Sequence, residues 1–452
     1  MQDHARKHLF ESMPVPRAVA QMALPAIFSQ IIILIYNMAD TFYLGQVNNP
    51  YMVAGASLIL PVFNISASLS GLAGVGGGAL ISRLLGENRE NEAGKASAFS
   101  LLLGMGSALI FSLLTLIAMN PLLQLLGASV NTLHYARQYA LCVIVLGSLP
   151  TVASNVMANL LRSTGESRRA GFGIAMGGCM NILLDPLFMF VLLPDGCEVL
   201  GVGVATLLSN CIACAYFLTV IRKNQRHAVI RFGLSLPEKK SIRAIFSVGI
   251  PSAVATLLFD IDYIVLDKLM AGYGDIALAS IGIVLKAERL PLNVGIGLCQ
   301  GMMPLVAYNY ASGNKKRMLA TIRFSLLTGL AVGALSIAMY ELLAPGIMGL
   351  FIRDAQTVRL GSDFLRIRCL ATPLMFSSFF TVYVFQGFGR GRVSLFLGVM
   401  RWCAFNIPML FALNMAMGMY GLVWAQLAAD ILTVTLSFIV FRRYADRMNL
   451  HA

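Results

Sequence analysis

Seven acidic residues stand inside long apolar stretches of the sequence, where a charge is costly. They are Asp40, Asp185, Asp260, Asp262, Asp267, Glu288 and Asp430. A carboxylate placed in the middle of a bilayer costs at least about 2.5–3.5 kcal/mol on insertion scales, so each one is a functional candidate. Because a proton or a small cation offsets that cost, reversible binding of H⁺ or a cation is the chemistry that these residues predict.

Two of these acids have a polar neighbour one helical turn away. Tyr36 precedes Asp40 by four residues, and Asn181 precedes Asp185 by four, so each pair shares one helix face. Pro186 follows Asp185 and disturbs the backbone beside it. We expect Asp40 and Asp185 to lie in one polar pocket, with Asn181 hydrogen-bonded to Asp185 or close to it. The simpler alternative is that each acid only hydrogen-bonds to a neighbouring helix.

The acids of the second half form a less regular set. Asp260 and Asp267 are seven residues apart and share a helix face, whereas Asp262 lies well round from them. Glu288 has basic residues beside it in the sequence, so local charge compensation explains it as well as function does. Asp260, Asp262 and Glu288 are candidates for a substrate site or a secondary acid site, and the role of Asp430 is left open.

The chain that carries these acids has the composition of a membrane protein. Of its 452 residues, 58% are hydrophobic and 12% are charged, and its mean hydropathy is +0.75. A soluble domain carries roughly twice that charged fraction. Apolar runs of about 20 residues, which cross a bilayer as a helix, recur along the sequence. They predict twelve helical spans, over residues 18–44, 52–82, 93–119, 132–161, 169–193, 200–221, 243–270, 276–310, 318–343, 358–388, 394–417 and 421–441. Prolines predict kinks in six of them, at Pro25, Pro61, Pro150, Pro251, Pro373 and Pro408.

The lysines and arginines, which give a net charge of +13, fall on alternate connections. The basic connections and termini carry Arg6, Lys7, Arg17, Arg83, Arg89, Lys95, Arg162, Arg168, Arg169, Arg222, Lys223, Arg226, Arg231, Lys239, Lys240, Arg243, Lys315, Lys316, Arg317, Arg323, Arg390, Arg392, Arg401, Arg442, Arg443 and Arg447. Five intervening connections contain none: 46–51, 120–131, 194–199, 271–275 and 418–420. This positive-inside pattern predicts that both termini lie in the cytoplasm. The basic balance therefore reflects membrane topology, and we expect no nucleic-acid partner.

The sequence also repeats itself at an offset near 225 residues. GGGALISRLLGENRENEAGKASAFSLLLG (76–104) resembles GMMPLVAYNYASGNKKRMLATIRFSLLTG (301–329), and DTFYLG (40–45) parallels DKLMAG (267–272). Each half contains six spans, so both halves enter the membrane the same way up and form a parallel repeat. This predicts two pseudo-symmetric six-helix lobes, at 1–221 and 243–452, joined by a cytoplasmic linker at 222–242. Parallel-repeat transporters handle substrate between their lobes by alternating access.

Several stretches together resemble the multidrug and toxic compound extrusion (MATE) family over residues 15–442. They are ALPAIFSQIIILIYNMADTFYLG, LLRSTGESRRA, MNILLDPLF, and VAYNYASGNKKR with its counterpart ISRLLGENRENEA. The resemblance implies an all-α membrane protein with twelve transmembrane helices in two six-helix lobes around a V-shaped cleft. It also implies a secondary active transporter that exports organic, often cationic, compounds in exchange for H⁺ or Na⁺.

The pattern of acids is similar to that of the DinF-like branch of the family, which has its coupling-ion site in the amino-terminal lobe. The resemblance points to six residues of that site, Tyr36, Asp40, Asn155, Asn181, Asp185 and Thr206, with Na⁺ expected at Asp40, Asn181 and Asp185 if sodium is used. Position 178 is Gly, where a hydroxyl would suit that pattern. Asp260 resembles the span-seven acid of the NorM-like branch, but the span-ten acid of that branch is missing here. We therefore favour the amino-terminal site.

The expected partners are a small organic substrate and the lipid bilayer, and we expect no cofactor other than the coupling ion. We expect a monomer in the plasma membrane (the cell inner membrane) of a prokaryote. The alternative is a lipid-linked saccharide flippase of the same superfamily. Those flippases usually carry more spans or more cations in their cavities than the two candidates here, Lys286 and Arg289. No catalytic constellation appears in the sequence, so we do not expect an enzyme.

Overall fold

The computed structural model describes residues 2–47, 49–194, 196–223, 229–233 and 236–448. Across these residues ten helices are long and apolar enough to span a membrane, and two bent helix pairs bring the number of spans to twelve. The expected all-α fold of twelve spans is therefore confirmed. We number the spans α1 Val15–Gln46, α2 Pro50–Gly86, α3 Glu90–Ile117, α4 Val130–Leu146 with Ser148–Ser163, α5 Ser167–Leu192, α6 Glu198–Lys223, α7 Lys239–Ala271, α8 Asp275–Ala311, α9 Lys315–Phe351, α10 Ala355–Cys369 with Thr372–Gly387, α11 Gly391–Met417 and α12 Met419–Arg447.

The two bent spans occupy corresponding places in the two halves of the chain. The bend in α4 is 45° and comes just before Pro150, and the bend in α10 is 47° and comes just before Pro373. Proline cannot donate a backbone hydrogen bond and clashes with the preceding turn, which explains a break at each position. Pro25 and Pro251 instead lie within α1 and α7, which continue through them as single helices.

The two lobes meet through close contacts between α1 and α8 and between α2 and α7. A methyl group on Gly301 would lie 2.5 Å from the Cα of Ala23, and one on Gly249 would overlap the carbonyl oxygen of Leu72. Glycine at these positions lets the helices approach this closely, as small residues commonly do in membrane proteins. These contacts fix how the two lobes face each other.

The alternation of twelve spans brings most of the basic connections to one end of the bundle, which we call the basic end. The described residues of the connection at 222–242 also lie there, and residues 224–228 and 234–235 fall outside the described residues. In its described part Val229 and Ile230 are buried, and the Ser97 hydroxyl of α3 donates to the Val229 carbonyl at 3.2 Å. This described part of the connection thus packs on the amino-terminal lobe, while the boundaries 1–221 and 243–452 stay predictions.

Candidate ion-binding site

The two acids of the amino-terminal lobe lie on helices that pack side by side. Asp40 is six residues before the end of α1, about 9 Å along the helix, and Asp185 is near the end of α5. Thr206 is near the start of α6. The ends of α1 and α5 and the start of α6 all lie away from the basic end, and the three helices contact one another. All three side chains therefore come from the half of the bundle away from the basic end.

Asn181 links Asp185 to the neighbouring helix. Its amide nitrogen lies 3.3 Å from Oδ1 of Asp185 and 3.4 Å from Oγ1 of Thr206, close enough to donate to either oxygen. Asp185 has no exposed surface and Asn181 is 2% exposed. The structure therefore joins these three predicted residues in one buried cluster.

Asp40 completes this cluster from the side of α1. Its carboxyl group is within hydrogen-bonding reach of the carboxyl group of Asp185, so one proton or one cation can serve both. Three buried oxygens make no hydrogen bond among the described residues: Asp40 Oδ1, Asp185 Oδ2 and Asn181 Oδ1. Buried oxygen atoms usually have a hydrogen-bond partner, so these three are free to bind a proton or a cation.

Tyr36 packs beside Asp40, at the place where α1 crosses α5. A methyl group on Gly178 would lie 3.1 Å from Cδ1 of Tyr36 and 2.5 Å from a methyl carbon of Ile32. The space that a hydroxyl side chain at position 178 would need is therefore filled by α1 itself. Glycine at 178 brings α1 close to α5 and so brings Asp40 close to Asp185.

Tyr139, on the first segment of α4, is a residue of this pocket that the sequence analysis missed. It is 6% exposed and lies within electrostatic range of Asp40, Asp185 and Tyr36. The sequence around Tyr139 does not indicate a place in the pocket, because the residue stands among polar residues at the start of a span. It is also separated from Asp40 by 99 positions. Asn155, by contrast, donates through its amide nitrogen to the carbonyl of Thr151 on its own helix at 2.9 Å, and its place in the site stays a prediction.

This arrangement can bind a proton or a small hard cation. Asp40 and Asp185 supply carboxylate oxygens, and Asn181 and Thr206 supply amide and hydroxyl oxygens, which are the ligand types that hard cations prefer. Two ionised carboxylates at this distance repel each other, so a bound H⁺ or Na⁺ stabilises the pocket. The same ligand set suits both ions.

Glu288 in the carboxy-terminal lobe is neutralised by an arginine distant in sequence. Nε and Nη2 of Arg368 on α10 lie 3.0 and 2.8 Å from Glu288 Oε2, and both side chains are 2% exposed. Local compensation by Lys286 or Arg289, one of the two alternatives predicted for Glu288, was wrong about the partner. The reason is that α10 packs against α8 and carries a buried cation to the acid.

Asp430 also has a buried cationic partner. Nη2 of Arg401 lies 3.0 Å from Asp430 Oδ1, and the guanidinium stands 4.3 Å from the ring centres of Phe379 and Trp402. The charge pattern assigned Arg401 to a cytoplasmic connection, and this was wrong. Arg401 is 4% exposed inside α11, where the two rings and the acid replace water around its charge.

The acids of α7 differ from one another in burial. Asp262 is 2% exposed and accepts a hydrogen bond of 2.7 Å from the Asn406 amide of α11. Asp260 and Asp267 are only partly buried, and both are within electrostatic range of Arg289. Asp260 also reaches Asn64 of α2, across the boundary between the lobes. Asp262 and Glu288 thus belong to one buried charge cluster of the lobe, and Asp260 faces the other lobe.

Comparison with known proteins gives the same architecture. Residues 25–187 and residues 251–412 each match the MatE family model. The two matched segments start at an interval close to the offset at which the sequence repeats. The multidrug export protein MepA of Staphylococcus aureus (strain MSSA476) is 29% identical over 444 residues, which cover 98% of this chain and 97% of MepA.

Solved structures are also similar over nearly the whole chain. A MATE protein solved in complex with MaL6 has a TM-score of 0.92 at 22% identity, with 99% of both chains covered. A multidrug resistance MATE family transporter of the MOP superfamily, solved in an outward-facing conformation, also has a TM-score of 0.92 at 22% identity, with 98% of both chains covered. At this identity the likeness establishes the two-lobed fold alone.

Proposed function

The chain belongs to the MATE family of membrane transporters, and we propose that it exports organic compounds, chiefly cationic ones, in exchange for H⁺ or Na⁺. The relative that it matches over nearly its full length is a multidrug export protein. The two-lobed fold suits alternating access, in which a site between the lobes opens to one side of the membrane at a time. The protein is a transporter and not an enzyme.

The observation that carries this proposal is the uncompensated acid pair, Asp40 with Asp185. Each carboxyl group has an oxygen without a partner in the described part of the chain, and the neighbouring ligands, Asn181 and Thr206, are neutral. An ion bound there changes the stability of one lobe arrangement relative to the other, provided that it binds the two arrangements with different affinity. That difference is what drives substrate export.

The orientation follows from the charge pattern. We infer that the basic end faces the cytoplasm of a prokaryote, because cytoplasmic connections carry the excess of Lys and Arg. We also infer that the protein lies in the plasma membrane, because its relative MepA is bacterial. The acid pair then lies nearer the outer surface, where external ions reach it. Cysteines introduced at 46–51, 120–131 or 271–275 should react with an impermeant reagent outside sealed cells, and cysteines at 86–92 should not.

The test of function is export from proteoliposomes that contain the purified protein and a fluorescent organic cation such as ethidium. A pH gradient and a Na⁺ gradient are imposed one at a time. We expect one of them to drive transport of the dye in the wild type and neither to drive it through the Asp185→Asn protein. Asp275→Asn, a change of the same chemistry at an exposed helix start, is the matched control and should transport normally.

Transport by the wild type that depends on neither gradient would contradict ion coupling. Normal gradient-driven transport by Asp185→Asn would contradict the assignment of Asp185 to the coupling site. The flippase alternative is not favoured, because the full-length relative is a drug exporter. Of the three arginines that are buried among the described residues, Arg368 and Arg401 are paired with acids, and Arg162 contacts the neutral side chains of Ser29 and Asn159. We expect the monomer to be the functional unit, because each chain contains both lobes.

A further inference from the structure

The residues that precede α1 are held firmly across the basic end of the bundle. Chain termini are usually poorly ordered unless contacts tie them down. Here Leu9 is 3% exposed and Phe10 is fully buried, although both stand in a short π-helical turn outside the membrane spans. We call residues 6–13 the N-terminal strap.

The strap makes a dense set of contacts with the carboxy-terminal lobe. The Phe10 ring stacks on Tyr308, at the end of α8, with 4.6 Å between ring centres and 19° between planes. The Tyr308 hydroxyl donates to Glu11 Oε1 at 2.6 Å. Arg317, at the start of α9, donates through Nε to the Phe10 carbonyl at 2.6 Å and through Nη2 to the Leu9 carbonyl at 3.0 Å.

The same segment also contacts the amino-terminal lobe, to which α1 belongs. Gly165, in the connection between α4 and α5, has a φ of +91°, and a methyl group there would lie 3.1 Å from Leu9 and from the Phe10 ring. Arg6 forms an ion pair with Glu90 at the start of α3. The strap therefore lies between the lobes and touches both.

We propose that the N-terminal strap is a latch that holds the two lobes together at the basic end. This inference rests on the proposed alternating access, because only a transporter whose lobes separate at this end needs such a latch. The strap is covalently continuous with α1, so it follows the amino-terminal lobe. Separation at the basic end must then break its contacts with Tyr308 and Arg317.

The contacts are of a kind that can break and re-form. The carbonyls of Leu9 and Phe10 would be solvated by water once the lobes part, so each hydrogen bond has a small net strength. The stacked Phe10–Tyr308 pair is the larger contribution, because separation would expose two aromatic surfaces. The strap therefore biases the balance between closed and open without making opening impossible.

The bias can be measured as a ratio of two populations in the full-length protein. Spin labels on Arg168→Cys and Lys316→Cys report the distance across the basic end, and labels on Val130→Cys and Ala271→Cys report the opposite end. All four positions are exposed. The labelling sites are introduced into a variant without the native cysteines, after transport by that variant has been checked. Distances are recorded in nanodiscs at low and at high pH, and with and without Na⁺. The comparison between variants uses the condition that changes the distances in the wild type.

Tyr308→Phe removes only the hydroxyl that binds Glu11, and it should raise the ratio of basic-end-open to basic-end-closed protein about threefold. Phe10→Ala should raise it at least about tenfold, with the opposite end closing in step. Phe438→Ala, a change of the same size at a residue that is 63% exposed on α12, is the matched control and should leave the ratio unchanged.

An unchanged ratio in folded Phe10→Ala and Tyr308→Phe proteins would overturn the latch, even if their melting temperatures fall, because a purely structural cap would lower stability without shifting the ratio. Failure of the transport proposal gives a different result. In that case the wild type itself would show no change of either distance with pH or Na⁺.

Discussion

The two lobes bury carboxylates in different ways. In the amino-terminal lobe Asp40 and Asp185 face each other among neutral ligands. In the carboxy-terminal lobe Glu288 and Asp430 are each held by a buried arginine from another helix. Both arrangements bury negative charge, but only the second one neutralises it with groups of the protein itself.

The difference explains how repeats of one architecture can have separate roles. A buried acid that is paired with a fixed arginine is stabilised little by a further cation. Removing one partner of such a pair leaves an isolated buried charge, which destabilises the protein. A pair of acids without a cationic partner is stabilised by any H⁺ or Na⁺ that arrives. The amino-terminal pocket is therefore suited to ion exchange, and the carboxy-terminal cluster is suited to holding helices together.

The largest expected effect is loss of coupling through the uncompensated pair. Asp185→Asn and Asp40→Asn remove a charge at nearly constant volume, so the proteins should fold and insert. Gradient-driven dye export in liposomes should fall to the level of protein-free liposomes, because one carboxylate cannot replace the shared site. Full export by either folded variant, with normal dependence on pH and Na⁺, would remove its acid from the coupling site.

The second prediction concerns the compensated cluster. Arg368→Gln leaves Glu288 buried and unpaired and should destabilise the protein by about 3–5 kcal/mol, measured as a fall in melting temperature. The double change Glu288→Gln with Arg368→Gln should recover much of the loss. Arg366→Gln, two residues away in an exposed ion pair with Glu341, is the control and should cost at most about 1 kcal/mol. Equal destabilisation by both arginine changes would contradict the distinction between the lobes.

A smaller effect is expected from the neutral ligands of the acid pocket. Thr206→Val removes the hydroxyl near Asn181 without changing the shape of the side chain. The concentration of coupling ion for half-maximal transport should shift by up to about tenfold, with the maximal rate kept. Thr219→Val, at an exposed position on the same helix, should have no effect. A loss of maximal rate with an unchanged ion dependence would argue against a ligand role for Thr206.

The smallest effect is predicted at the boundary between the lobes. Asp260 is only partly buried, so Asp260→Asn should weaken binding of a cationic dye by less than about fivefold and leave ion coupling intact. Dye binding is measured by fluorescence titration, and coupling is measured by gradient-driven export. Should Asp260→Asn abolish ion-driven exchange while dye binding survives, the coupling site would have to include the carboxy-terminal lobe.

The internal repeat shows that the difference between the two lobes at the acid pair can be predicted from the sequence. The segment DTFYLG of the first half parallels DKLMAG of the second, so Asp40 corresponds to Asp267. An offset of about 225 residues places the buried, apolar Leu410 opposite Asp185. At these two corresponding positions one half thus has two acids and the other has one, which the sequence displays without any structure.

The sequence by itself determined the twelve spans, the two six-helix halves and the helix faces of Tyr36, Asp40, Asn181 and Asp185. Hydropathy and helical periodicity act over one or two turns, so they can be read along the chain. Only the tertiary structure decided which side chains from distant parts of the chain come into contact. Arg368 reaches Glu288 across 80 positions and Arg401 reaches Asp430 across 29, while Tyr139 joins the acid pocket from a fourth helix. Those pairings depend on how helices pack, and a single sequence contains no local signal for contacts between distant turns.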